Sequence, residues 1–128
     1  MHTGPLHWPG GEHDFALNLG QLRALQDATD SGPEEVLNRL RLGNWRVNDL
    51  IDTIRLGLVG SDAMSKEDAS KTVLALFDQH PKVEFKLTAI AILAAALLGV
   101  PGDPVGEGEG QPPAPENGGS ANSTAPVQ

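Results

Sequence analysis

A nearly unbroken apolar stretch near the C-terminal end constrains the fold of this chain most. Leu87 to Val100 carries a single polar side chain, Thr88. A helix that is apolar on every side must be covered on every side. The stretch is shorter than the roughly 20 residues that cross a bilayer, so it predicts a buried helix, and a membrane-associated helix is the less favoured alternative. Gly99 and Pro101 end this helix, which we expect from about Lys82 to Leu98.

Four shorter helices are predicted ahead of it from apolar residues at helical spacing. Leu19, Leu22, Leu25 and Ala28 share one face of the first. Caps and breakers place the second at about Pro33 to Leu42, the third at about Val47 to Leu58, and the fourth from Ser65 to the break at His80-Pro81. Ser31 is expected to cap the second helix by accepting a hydrogen bond from the Glu34 amide.

The segment ahead of these helices alternates apolar and polar residues on both sides of a Pro-Gly-Gly turn, which favours a short β-hairpin. The predicted fold is mainly α, a small bundle of about five short helices with this N-terminal hairpin. We expect a flexible segment or weak hairpin at 1–14, a helical domain at 15–100, and a disordered Gly/Pro-rich acidic tail at 101–128, since that composition cannot bury enough apolar surface to fold.

Charge and cysteine content exclude several classes of function. The formal net charge is −8, from 9 Lys+Arg against 17 Asp+Glu, and the excess acids lie towards the two ends. No extended cationic surface is available for phosphates, so nucleic-acid binding is not expected. The chain has no cysteine, which excludes disulfides and thiolate zinc sites and suits a reducing cytoplasm.

Catalytic chemistry finds little support in the sequence. No phosphate loop, zinc-protease motif or nucleophile elbow is present. The acid pairs Glu34-Glu35 and Glu67-Asp68 open helices, where the helix dipole explains them better than acid-base catalysis does. Three histidines lie in the N-terminal segment with irregular spacing, and a fourth, His80, lies at a helix end. We therefore predict no enzyme activity, no cofactor and no metal site.

Two groups of residues are candidates for binding another protein. The favoured interpretation places the last helix at the centre of the core. In the alternative, four short helices enclose it only incompletely and part of its surface faces a partner or another copy. In that alternative, the core side of the helix contains Val83, Leu87, Ile90, Ala94 and Leu97. The side assigned to a partner contains Phe85, Ile92, Leu93 and Ala96.

The second group is the basic and aromatic turn between the second and third helices, formed by Arg39, Arg41, Trp45 and Arg46. These residue types are common in binding hot spots. They also suit an ordinary helix junction, with Trp45 over the end of the core and the arginines extended across it. The junction is the favoured interpretation, and Trp45 and Arg46 are the residues of this turn that we consider for partner contact.

The order of these segments resembles the tail assembly chaperones of gene transfer agents and related siphophage-like tails. The resemblance covers about Gly11 to Gly99 and depends on the motifs Leu17–Leu25, Asn48–Ile51, Ile54–Leu58 and Met64–Ala69, followed by the apolar last helix. It implies a protein that binds the tape measure protein and recruits tail tube subunits. A minor structural component retained in the tail is the alternative.

Overall fold

A computed structural model describes residues 1–99 of the chain, so the predicted tail at 101–128 lies outside the described residues. The described part confirms a mainly α fold with an N-terminal hairpin. Its elements, in chain order, are β1 Leu6–Trp8, β2 Gly11–His13, α1 Leu19–Thr29, α2 Pro33–Leu42, α3 Val47–Gly60, α4 Lys66–Gln79, a 3₁₀ turn Lys82–Phe85, and α5 Lys86–Leu98.

The predicted helix ends agree with the observed ones to within about two residues at most positions, because local chemistry fixes them. Pro33 occupies the first turn of α2, and Gly43 ends that helix with a positive φ of 89°, which glycine adopts without strain. The Ser65 hydroxyl accepts a hydrogen bond from the Asp68 amide at 3.1 Å and so caps α4.

The expected cap of α2 is wrong, because Gly32 rather than Ser31 precedes the helix. The hydroxyl of Ser31 donates instead to the carbonyl oxygen of Thr29 at 3.1 Å and accepts from Arg39 at 2.9 Å. Ser31 therefore fixes the turn between α1 and α2 and does not cap α2.

The hairpin pairs Leu6 with His13 and Trp8 with Gly11 in antiparallel register. The indole Nε1 of Trp8 donates to Nδ1 of His13 at 2.9 Å, which satisfies the polar end of a ring that is otherwise buried. The second strand ends before Phe15, which enters the core in an extended segment instead of continuing the sheet.

Helix α3 lies at the centre of the fold and packs against α1, α4 and α5, while α5 also packs against α2. The predicted inward face of α1 is only partly correct. Leu25 is buried and Leu22 packs against the core, but Leu19 and Ala28 are exposed. Helix α1 packs mainly on one neighbour, α3, so a narrow stripe is enough to attach it.

The extended segment after the hairpin crosses α3 at two glycines. The Ala16 amide donates to the Gly57 carbonyl oxygen at 3.0 Å, and the Asn18 side chain donates to the Gly60 carbonyl oxygen at 3.2 Å. A Cβ added to Gly60 would overlap the carbonyl oxygen of Ala16 and lie 2.9 Å from its carbon. Glycine at this position is what allows the two backbones to approach.

The beginning of the chain also meets the end of α5. A Cβ built on Gly99 would lie 3.7 Å from the sulfur of Met1. Met1 therefore lies beside the last turn of α5.

Candidate binding surfaces

Helix α5 faces the core with the side that the sequence had assigned to a partner. Phe85, Ile92 and Leu93 are 0% exposed, and Ala96 is half-buried against the core. The outward side contains Leu87, which is 78% exposed. The side considered for a partner therefore belongs to the core, and a partner cannot reach Phe85, Ile92 or Leu93 while the subunit stays folded. The opposite side is divided, because Val83 and Leu87 are exposed whereas Ile90 and Leu97 pack against the core.

Phe85 explains this orientation. Its ring stacks on that of Phe77 with centroids 4.0 Å apart and meets Trp8 edge-on at 6.4 Å. Ala89, Ile92 and Leu93 follow at helical spacing on the same side, so burying Phe85 buries all three. An aromatic ring buries more apolar area than a leucine, and the only aromatic residue of the segment was the signal that could have identified the core side.

The outward side of α5 forms an apolar surface together with the hairpin. We define the α5 surface as Leu6, Val83, Leu87, Ala91 and Leu98. Val83 and Leu98 are 62% and 68% exposed, and Leu6 is half-buried.

A groove of about 150 Å³ runs along this surface between β1 and α5. Leu6, His7, Leu87, Thr88 and Ala91 line it. The lining is mainly apolar, so the groove is suited to an apolar side chain from another polypeptide.

The turn between α2 and α3 forms a helix junction with contacts inside the subunit. Trp45 is half-buried and packs against the core. Arg46 is exposed and donates from Nη1 to the Thr29 carbonyl oxygen at 3.3 Å. Arg46 is exposed whereas Phe85 and Ile92 are fully buried, so the two groups of predicted partner residues do not form one surface.

A buried ion pair holds this turn in place. Arg39 donates from Nε to Oδ2 of Asp49 at 2.9 Å and from Nη2 to Oδ1 at 2.8 Å. The Arg46 amide adds a third hydrogen bond to Oδ2 at 2.9 Å. Sequence reasoning missed the pair, because neither the charge of Arg39 nor its spacing of ten residues from Asp49 distinguishes it from a solvated side chain.

The electrostatics of the pair follow from its burial. Loss of water alone would raise the pKa of Asp49. The hydrogen bonds from Arg39 and the Arg46 amide, together with the positive charges of these two arginines, outweigh this effect and lower the pKa of Asp49. The hydrogen bonds to Asp49 raise the pKa of Arg39 against the opposing effect of burial. Both groups are therefore charged in the folded protein.

His2, His7 and His80 each contact a single carboxylate, whereas His13 accepts a hydrogen bond from Trp8. Nδ1 of His2 lies 2.5 Å from Asp14, and Nδ1 of His80 lies 3.4 Å from Glu84. Across residues 1–99, no group of three or more His, Cys, Asp or Glu side chains is placed to hold a metal ion. The described helices include none that is both long enough and apolar enough to cross a membrane.

Comparison with known proteins identifies one family. Residues 4–99 match the model of a family described as phage tail tube protein, GTA-gp10. The match spans the hairpin and all five helices. No curated protein and no solved structure gives a significant match.

Proposed function

Since the chain belongs to the phage tail tube protein, GTA-gp10 family, whose model matches 96 of its 128 residues, we propose that it is a tail assembly chaperone for the tape measure protein. In this proposal the protein works by binding alone, catalyses no reaction, and acts in the cytoplasm before the tail is complete. The α5 surface is the binding site.

The exposure of Leu87 is the observation that carries the proposal. A leucine with 78% of its surface in water contributes nothing to the folded subunit's core, yet it lies beside Leu6 at an apolar groove. Val83 lies about one turn before it, and Ala91 and Leu98 follow at helical spacing. A row of apolar side chains beside a groove is the arrangement that accepts the apolar stripe of a partner helix.

A long helical client with apolar faces would aggregate if it stayed uncovered. The α5 surface is one helix wide, which fits an interface of less than about 1,200 Å², the range of weak and transient complexes. Weak individual contacts suit a chaperone, because arriving tail tube subunits can then displace it from the client.

Co-expression with fragments of the tape measure protein tests the proposal. Leu87→Ser should reduce capture of the fragment by at least about tenfold, the equivalent of 1.4 kcal/mol. The matched control is Leu74→Ser, which changes a leucine of α4 that is 53% exposed and outside the α5 surface. Equal capture by both variants and the unchanged protein would exclude the α5 surface as the binding site.

A structural component retained in the tail is the second candidate, and the family's description as a tail tube protein favours it. Quantitative mass spectrometry of purified particles separates the two functions. A chaperone leaves before the particle is complete, whereas a tube or minor tail component stays at a fixed ratio to the other tail proteins. A fixed ratio would replace the chaperone proposal with the structural one.

A further inference from the structure

The outward face of α2 changes its charge from one end to the other. Glu34 is exposed in the first turn, Asn38 in the middle, and Arg41 and Leu42 in the last turn. The helix has ten residues and is therefore about 15 Å long. We call these four residues the α2 face.

The acidic character of the first turn continues beyond the N-terminal end of the helix. Asp27 and Asp30 line a groove of about 360 Å³ next to its N-terminal end. Val47 is exposed just beyond its C-terminal end. One half of the region is thus acidic, and the other half is basic and apolar.

The basic half has side chains that the subunit itself does not use. Leu42 is 79% exposed. Arg41 has no carboxylate within 4.0 Å among the described residues, in contrast to Arg39 and Arg55. The helix dipole favours acids in the first turn and bases in the last, but it does not account for an exposed leucine.

We propose that two copies of the chain pair antiparallel through the α2 face. A two-fold axis between positions 37 and 38 sets Arg41 of each copy opposite Glu34 of the other. The same register sets Leu42 opposite Pro33. Each contact occurs twice, as in every two-fold interface.

Charge complementarity selects a second copy as the occupant. A strongly acidic partner would match the basic half and be repelled by the acidic half, and a basic partner or a nucleic acid would meet the converse conflict. In a second copy of the chain, the acidic half matches the basic half of the first copy and the basic half matches the acidic half. Only the antiparallel arrangement places these halves opposite each other. Copies with a formal charge of −8 repel each other at long range, so the local pairs decide the orientation.

The inference goes beyond the proposed function, because the α2 face and the α5 surface belong to different helices. A pair formed through α2 leaves Leu87 free in both copies. A chaperone of this form would present two binding sites to one client, and their linkage would strengthen a weak contact.

Charge exchange between two variants tests the pairing. Sedimentation velocity of the full chain, in a series up to about 1 mM, should show a dimer whose fraction rises with concentration. Arg41→Glu alone and Glu34→Arg alone should each raise the dissociation constant by at least about tenfold, because like charges then meet twice. An equimolar mixture should dimerise again, since the acid introduced in one variant meets the base introduced in the other and the second contact is unchanged.

Matched controls come from α4, where Glu67 is also an exposed acid of a first turn and Lys71 an exposed base. Glu67→Arg and Lys71→Glu should dimerise like the unchanged chain, and circular dichroism should show equal helix content in all variants. A monomer at every concentration would overturn the pairing, as would a mixture that stays monomeric. Oligomers that keep growing beyond the dimer would overturn the two-fold arrangement.

Discussion

The guanidinium of Arg39 contacts both carboxylate oxygens of Asp49, at 2.8 and 2.9 Å, in a site where the two side chains are 10% and 1% exposed. The pair joins the last turn of α2 to the first turn of α3. Because Asp49 also accepts the Arg46 amide, it fixes the turn that carries Trp45. One buried carboxylate therefore determines the shape of the junction between these helices.

Removing one partner of this pair should be costly. Asp49→Ala leaves a buried guanidinium without its counter-charge, and we expect the free energy of unfolding to fall by about 3–5 kcal/mol. Urea denaturation followed by circular dichroism measures the change. Glu35→Ala is the control, because that carboxylate also contacts Arg39, at 3.3 Å, but is 64% exposed and should contribute less than about 1 kcal/mol. Equal losses in the two variants would contradict this account.

The lowered pKa of Asp49 predicts a specific acid sensitivity. Its folded pKa lies below the unfolded value of about 3.9, so the stabilisation is present above that value and is lost as the pH falls through the folded pKa. Asp49→Asn should therefore be less stable than the unchanged protein at pH 6, and the difference should shrink towards pH 3. Denaturation curves across this range measure it, and a difference that stays constant would contradict the assignment.

Any side chain at position 60 should destabilise the fold. In Gly60→Ala the new Cβ would overlap the Ala16 carbonyl, and the backbone shift needed to relieve this should cost about 1–3 kcal/mol. Gly20→Ala is the matched control, since no heavy atom lies within 4 Å of the added Cβ and the change should stabilise the protein by about 0.4–1 kcal/mol. Thermal unfolding of both variants tests the pair, and destabilisation by both would remove the explanation by close backbone approach.

Truncation of a side chain should destabilise the protein much more on the buried side of α5 than on the exposed side. Ile92→Ala removes a fully buried side chain and should cost about 2–5 kcal/mol. Leu87→Ala changes an exposed one and should alter stability by less than about 0.5 kcal/mol. Chemical denaturation compares the two directly. A larger loss in Leu87→Ala would mean that the core side of α5 is the one first expected from the sequence.

Sequence reasoning located the helices well and the surfaces poorly, for physical reasons. Helix ends depend on local chemistry such as Pro33, Gly43 and Ser65, which is visible in a few neighbouring residues. The rotation of α5 depends on which side finds a partner in the rest of the fold. A helix that is apolar all round gives no amphipathic pattern to decide this. Ile92, considered for a partner, is therefore in the core, and Leu87, placed on the core side, is at the surface.

Among the candidate partner residues, some could be assessed from residue type and others depended on tertiary contacts. Trp45 and Arg46 were identified from their types and lie at the surface to different degrees, because an aromatic residue at a helix junction can serve both the core and the exterior. Phe85 was assigned to a partner although its stacking on Phe77 is a contact between α4 and the following turn. Such pairings depend on how the chain folds back after the break at Pro81 and cannot be predicted from spacing.

The closeness of Met1 to Gly99 has a practical meaning for experiments on the α5 surface. Leu98 directly precedes Gly99, the residue that Met1 approaches, and Leu6 comes from the hairpin, so distant parts of the chain build the α5 surface together. A synthetic peptide copying α5 would lack Leu6 and Val83 and should compete poorly for a client. A bulky affinity tag fused ahead of Met1 would stand at its rim, so baits for capture should carry their tag elsewhere.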